Sequence, residues 1–270
     1  MTLHGVAPRL GKAGLYGGGM DHGGITFSHV RKEFPDGTVA VGDLSLDVTP
    51  GEIMCLVGPS GCGKSTTLRM VNRLIEPTAG TITVDNQDVM AAQAVELRRS
   101  IGYVIQHVGL FPHKTVAQNV ATVPQLVKWP KDRIAARVNE LLDLVGLDAD
   151  THGPRYPHEL SGGQRQRVGV ARALAVEPPV MLMDEPFGAV DPQGRRRLQS
   201  EFMELQRQLG LTVMMVTHDM REAVLMADRI AVLSTGGVLE QLDTPERIVD
   251  EPANDFVADF LADFGGLARN

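Results

Sequence analysis

A chain of 270 residues with 43% hydrophobic residues holds enough apolar mass for one large domain or two small ones. With aromatics at only 4%, its core must be aliphatic, filled out by 12 methionines. A net charge of −7 speaks against sequence-independent nucleic-acid binding, which needs a basic face. The two cysteines, Cys55 and Cys62, make neither a disulfide framework nor a zinc site, no run of about 18 apolar residues offers a membrane span, and the N-terminus lacks a charged-then-apolar signal pattern, so a reducing cytosol is expected.

In chain order, residues 1–24 are glycine-rich (GLYGGGMDHGG), lack periodicity and are expected to be a disordered leader, with Met1 and Met20 both compatible with a translational start. From Ile25, ITFSHVRKEF and AVGDLSLDV alternate apolar and polar residues as peripheral antiparallel strands do, whereas Ile53–Val57 is continuously apolar and suits a buried parallel strand. TLRMVNRL (67–74) reads as a helix and Thr81–Asp85 as another alternating strand. In 132–145, Ile134, Val138, Leu141, Leu142 and Val145 fall at helical spacing and make one apolar face, and 166–176 also reads as helix. Val180–Met183 and Thr212–Val216 are two further buried strands, separated by an amphipathic helix with Leu198, Phe202, Leu205 and Leu209 on one side. Ile230–Leu233 and Val238–Leu242 flank Gly236-Gly237, a hairpin signal. Strands alternating with helices predict an α/β fold with a largely parallel sheet, interrupted from about 108 to 178 by a mainly helical stretch. The ordered domain is expected over 25–262, with a tail at 263–270.

Four short stretches carry chemistry. GPSGCGKST at 58–66 fits G-x-x-x-x-G-K-[ST], with a buried strand before it and a helix after it. Glycines at 58, 61 and 63 let successive N–H groups face phosphate oxygens, the helix N-terminus adds partial positive charge, Lys64 reaches the β- and γ-phosphates, and Ser65 can ligate Mg²⁺. Cys62 in this loop is either a small residue that fits or a thiol open to alkylation. VMLMDEP sets Asp184 and Glu185 at the C-terminal end of a buried strand, where Asp184 can hold Mg²⁺ and Glu185 can polarise an attacking water. Thr212–Val216 leads in the same way to Thr217-His218-Asp219, placing His218 within reach of a γ-phosphate or that water. LSGGQ at 160–164 has the hydroxyl, glycines and amide of a phosphate cradle but no lysine.

Together these stretches resemble the ATP-binding cassette (ABC) ATPases of ABC transporters, over about residues 25–262. The implied fold is a P-loop NTPase of the ABC nucleotide-binding type, with a RecA-like core, an antiparallel β subdomain and a helical subdomain at about 108–178. The resemblance implies ATP and Mg²⁺ as ligands. It assigns Gly58, Pro59, Ser60, Gly61, Cys62, Gly63, Lys64, Ser65 and Thr66 to the Walker A loop, Gln106 to the Q-loop, and Ser161, Gly162, Gly163 and Gln164 to the signature motif. It assigns Asp184 and Glu185 to Walker B, Asp191 to the D-loop (with Val190 where leucine is usual) and His218 to the H-loop. On it, Glu185, His218 and Gln106 serve catalysis, Ser65, Gln106 and Asp184 serve the metal, and Phe34 and, more weakly, Val41 line the adenine pocket. In this family two cassettes pair head to tail, so each LSGGQ would complete the partner's site, where Lys64 of that chain supplies the charge.

A narrower resemblance, carried by IGYVIQHVGLFPHKTV, LVKWPKDR and DTPERIVDEPANDFVADFL, is to the ATPases of quaternary-amine importers. It implies a homodimer on the cytoplasmic face of the inner membrane, bound peripherally to a permease and served indirectly by an extracytoplasmic substrate-binding protein, with no nucleic-acid partner. Many such ATPases continue into paired CBS modules; with the sequence ending at 270, these are expected to be absent. Importers of polyamines, sulfate or sulfonates share every catalytic motif and remain the alternative, and a non-transport ABC ATPase a distant one.

Overall fold

The computed structural model describes residues 23–264 apart from 107 and 189. Residues 1–22 of the expected leader and 265–270 of the expected tail lie outside the described residues. Gly23 and Gly24, assigned to the leader from sequence, are ordered. Gly23 is buried at φ +97°, donates its N–H to Asp85 Oδ1 at 3.1 Å, and leaves only 2.8 Å between a would-be Cβ and the Pro179 carbonyl.

The alternating segments form a four-stranded antiparallel sheet, β1 (Ile25–Glu33), β2 (Val39–Val48), β4 (Ala79–Val84) and β5 (Gln87–Asp88), in the order β2-β1-β4-β5. Its inner face carries Ile25, Phe27, Leu44, Leu46 and Ile82. β4 stops at Val84, one residue before the sequence limit, because Asp85 and Asn86 both turn to positive φ.

The second sheet has six strands in the order β10-β9-β3-β8-β7-β6, where β3 is Ile53–Val57, β6 Ile101–Val104, β7 Val180–Asp184, β8 Thr212–Val216, β9 Arg229–Ser234 and β10 Val238–Asp243. All neighbours are parallel except the β9–β10 hairpin. In β3, Ile53, Cys55 and Val57 enter one core and Met54 and Leu56 the other. Both faces are therefore covered, which is why the sequence runs apolar without alternation. β6 was not foreseen: it is four residues long, at the sheet edge, and includes Gly102.

Helices cover the sheet. α1 (Lys64–Val71) follows β3, and α2 (Ala94–Ser100) leads into β6. Between β6 and β7 lie α3 (Val116–Val120), α4 (Thr122–Leu126), α5 (Lys131–Leu144), α6 (Ala149–His152) and α7 (Gly162–Ala173). α5 buries Ile134, Val138, Leu141 and Leu142, the face its spacing predicts. α7 starts at Gly162, four residues before the sequence limit, because Ser161 and Gln164 form a capping box: Gln164 N–H donates to Ser161 Oγ at 3.2 Å and Ser161 N–H to Gln164 Oε1 at 2.9 Å. α8 (Pro192–Leu209) buries Leu198, Phe202 and Leu205 as expected, followed by α9 (Met220–Met226), α10 (Pro245–Asp250) and α11 (Asp255–Ala262).

Candidate functional site

Parallel strands deliver their C-terminal ends to one edge of a sheet, and ligands bind in open α/β sheets at that edge. Here β3, β8, β7 and β6 are consecutive neighbours, and the residues that follow them are Gly58, Thr217, Glu185 and Ile105-Gln106. The site is thus assembled by strand order, from residues up to 160 positions apart in the chain.

The loop after β3 is shaped by backbone contacts that forbid side chains. A Cβ on Gly58 (φ +147°) would lie 2.1 Å from the Leu233 carbonyl oxygen, and one on Gly63 (φ +104°) 2.2 Å from the Ala40 carbonyl oxygen. Gly63 is also the N-cap of α1, so the loop passes directly into a helix N-terminus whose first N–H groups lack partners within the helix. Gly63→Ala combines a left-handed φ with a backbone clash. It is expected to cost roughly 2 kcal/mol or more, lowering the thermal midpoint by about 4–8 °C, as read by circular dichroism; an unchanged midpoint would remove steric necessity as the reason for this glycine.

Lys64 is buried, and its Nζ donates to the carbonyls of Gly58 at 2.7 Å and Pro59 at 2.8 Å, with Cys62 Sγ at 3.6 Å. The ammonium is folded back over the loop that it would serve. Ser60 and Gly61 are exposed at the loop tip, and the Cys62 thiol is buried beneath it. Ser65 Oγ donates to Asp184 Oδ1 at 2.9 Å, and Arg69, one helical turn on, pairs with Asp184 Oδ2 at 3.2 Å. Thr66 is half-buried on the same turn of α1.

Glu185 is the centre of the arrangement. It adopts φ +47°, a left-handed conformation that a glutamate rarely takes, and its N–H is fixed to the Val216 carbonyl at 2.9 Å. That turn aims its carboxylate across the strand ends, where Gln106 Nε2 donates to Oε2 at 2.7 Å and His218 Nδ1 lies 3.2 Å from the same oxygen. His218 is 68% exposed at its side chain and Glu185 23%, so the carboxylate is sheltered while its partners face outward.

Ser161, Gly162, Gly163 and Gln164 stand elsewhere. They begin α7 and line a groove of about 590 Å³ together with His152, Val190 and Asp191. Ser161 Oγ satisfies the Gln164 N–H, while the N–H groups of Gly162 and Gly163, in the helix's first turn, have no partner within it. Asp191 caps α8 by accepting the Gly194 N–H at 2.9 Å. The lining of this groove includes no residue of 58–66. The chain therefore brings Lys64, Ser65, Asp184, Glu185, Gln106 and His218 together in one place, and the LSGGQ residues together with Asp191 in another.

Phe34 is half-buried in the β1–β2 turn, with Lys32 Nζ 5.1 Å from its ring centre. Val41 is fully buried, its Cγ2 3.4 Å from where a Cβ on Gly63 would sit, so it walls the phosphate loop from beneath. Arg69 is a site residue that sequence reading missed. Its spacing of four from Ser65 on a short helix was the available signal.

The loop-to-helix cradle, the carboxylates at the strand ends and the two-sheet architecture define a P-loop nucleotide-binding domain. Residues 41–188 match the family model described as ABC transporter, and the chain belongs to that family. It is 53% identical over 237 residues to the glycine betaine/carnitine/choline transport ATP-binding protein OpuCA of Bacillus subtilis, covering 88% of this chain and 62% of that one. It is 51% identical over 237 residues to the glycine betaine uptake system ATP-binding protein YehX of Escherichia coli, covering 88% and 76%. Among solved structures, the dimeric structure of MJ0796, a bacterial ABC transporter cassette, superposes with a TM-score of 0.73 at 34% identity over 82% of this chain and 98% of that one. The chain spans 62% of the length of OpuCA.

Proposed function

We propose that this chain is the ATP-hydrolysing subunit of an ABC importer for quaternary-amine osmoprotectants such as glycine betaine, choline or carnitine. It works as a head-to-tail homodimer on the cytoplasmic face of the membrane, bound to a permease and fed indirectly by an extracytoplasmic binding protein. The observation that carries the ATPase reading is the convergence of Gln106 and His218 on one oxygen of Glu185, the residue that follows the Asp184 held by Ser65. Likeness to OpuCA and YehX supports the cargo class.

In this reading Lys64 leaves the Gly58 and Pro59 carbonyls and turns its ammonium to the β- and γ-phosphates, while the loop N–H groups and the N-terminus of α1 hold the rest of the phosphate chain. Phe34 stacks on the base, and Val41 and Thr66 support the pocket. Glu185 takes a proton from the attacking water, and His218 and Gln106 hold its carboxylate and the γ-phosphate in register. The residues present fit a Mg²⁺ ion: Ser65 Oγ and Asp184 Oδ1 are hard oxygens 2.9 Å apart, and Gln106 offers a third. Bound there with the nucleotide's own oxygens, the ion would neutralise charge on the β- and γ-phosphates. Ser161 with the first-turn N–H groups of α7 closes on the γ-phosphate held by the partner chain. The helices of 108–178 form a subdomain that carries this surface. Phe264, which the sequence reading put in the tail, packs against the core and accepts a hydrogen bond from Arg221 at 3.1 Å.

Deleting the gene is expected to lower uptake of labelled betaine, choline or carnitine at high osmolarity. Unchanged uptake of all three, with loss of polyamine, sulfate or sulfonate uptake, would sink the cargo assignment and leave the ATPase reading standing.

A further inference from the structure

From Thr217, at the end of β8, a chain of buried polar groups runs away from the site through Glu222 to Gln199. Glu222, on α9, is 7% exposed. Its Oε1 accepts from Gln199 Nε2 on α8 at 2.8 Å, and its Oε2 accepts from the Thr217 hydroxyl. Thr217 Oγ1 in turn accepts the Asp219 N–H at 3.1 Å. The three-residue turn that carries His218 is therefore gripped on both sides of the histidine, and the grip is anchored in the helix that Asp191 caps.

Such a chain is costly to bury. Glu222 is 7% exposed and its partner Gln199 4%; burial pushes the Glu222 carboxyl above the usual carboxylate range, while the hydrogen bonds from Thr217 and Gln199 act in the opposite direction. Replacing buried polar groups of this kind by well-packed apolar residues of similar volume is often neutral or stabilising. What the polar chain provides that apolar packing does not is direction: each bond fixes one atom relative to the next. Its two ends are functional in the reading above. One end is the turn holding His218, which touches Glu185. The other is α8, whose first residues follow Asp191 in the groove where LSGGQ lies.

We propose that Glu222 is a positioning residue that, with Gln199 and Thr217, ties the helix after Asp191 to the turn bearing His218. It sets the imidazole against Glu185 according to where α8 stands. Closure of the groove at Asp191 on a partner chain would thereby be felt at the histidine of the same chain. This inference rests on the ATPase reading.

The test is steady-state ATP hydrolysis by the purified full chain, with thermal unfolding in parallel, for Glu222→Ala, Glu222→Gln, Gln199→Leu and the pair Glu222→Gln/Gln199→Leu. Loss of two buried hydrogen bonds predicts that Glu222→Ala lowers kcat roughly ten- to hundredfold with KM for ATP within about twofold. Glu222→Gln, which keeps an acceptor for Thr217, is expected to recover part of that loss. Gln199→Leu should lower kcat less, and the pair should fall no further than its worse member, because both act through one chain. Folded variants with wild-type kcat overturn the proposal. So do losses tracking thermal instability without rescue by Glu222→Gln, a KM rise matching the kcat loss, or independent multiplying effects in the pair. Absence of hydrolysis by the wild-type chain would instead strike the ATPase reading itself.

Discussion

Glu185→Gln is expected to slow ATP hydrolysis by about 10²–10⁴-fold, the range for removing a general base, while leaving nucleotide affinity near that of the wild type. The substitution preserves shape and an acceptor oxygen for the Gln106 hydrogen bond and the His218 contact, both of which end on Oε2. What it removes is the capacity to take a proton. Phosphate binding rests on other groups, namely Lys64, the N–H groups of the glycine loop and the Ser65–Asp184 pair. Binding and chemistry should therefore separate: nucleotide titration unchanged, phosphate release nearly abolished, and a long-lived ATP-bound dimer on size exclusion. Hydrolysis at the wild-type rate would take the catalytic role from Glu185. The left-handed backbone at this residue (φ +47°) would then have no function to account for it.

The parts of the site that were legible in sequence are those in which one short stretch fixes both chemistry and conformation. GPSGCGKST carries its glycines where backbone approaches backbone, at Gly58 and Gly63, so the motif and the steric reason for it are the same fact. The buried strands Ile53–Val57, Val180–Met183 and Thr212–Val216 were legible because burial on both faces removes polar residues from the run. Strand order was not legible: nothing local in Thr212–Val216 says that it lies between β3 and β7, yet that placement brings His218 to Glu185. β6 was missed because four residues with a glycine give no periodicity to read. Arg69 and the Gln199–Glu222–Thr217 chain were missed because their partners are contacts of tertiary structure. The helical spacing was legible only from 166, which left LSGGQ outside the helix. The Ser161–Gln164 capping box makes its glycines the first turn of α7, so they offer N–H groups at a helix start.

That geometry bears on why one chain holds a lysine-bearing cradle at 58–66 and a lysine-free one at 161–164. The groove lined by Ser161–Gln164 and Asp191 includes no residue of the glycine loop. If it completes a partner's site, two differently broken chains should rescue each other. Let one chain carry Lys64→Ala and the other Ser161→Arg. Lys64→Ala removes the buried ammonium that would hold the phosphates, and Ser161→Arg puts bulk where the groove must close. Each homodimer then has a defect in both of its sites. In a mixed dimer both defects fall into one composite site, and the other site joins an intact loop to an intact LSGGQ. Mixing is therefore expected to restore ATP hydrolysis from near zero to a substantial part of the wild-type rate, with one competent site per heterodimer. Ser161→Arg also removes a helix cap, at a cost of about 1 kcal/mol. Its thermal midpoint must accordingly be measured beside its activity, and Ser161→Asn, which keeps a capping side chain with less bulk, should retain more activity than the arginine. If LSGGQ served the glycine loop of its own chain, every site in the mixture would remain broken and nothing would be restored. Crosslinking of tagged chains in a Glu185→Gln background shows whether mixed dimers form. Mixed dimers that form, bind ATP and still never hydrolyse it without that added change would overturn the composite site.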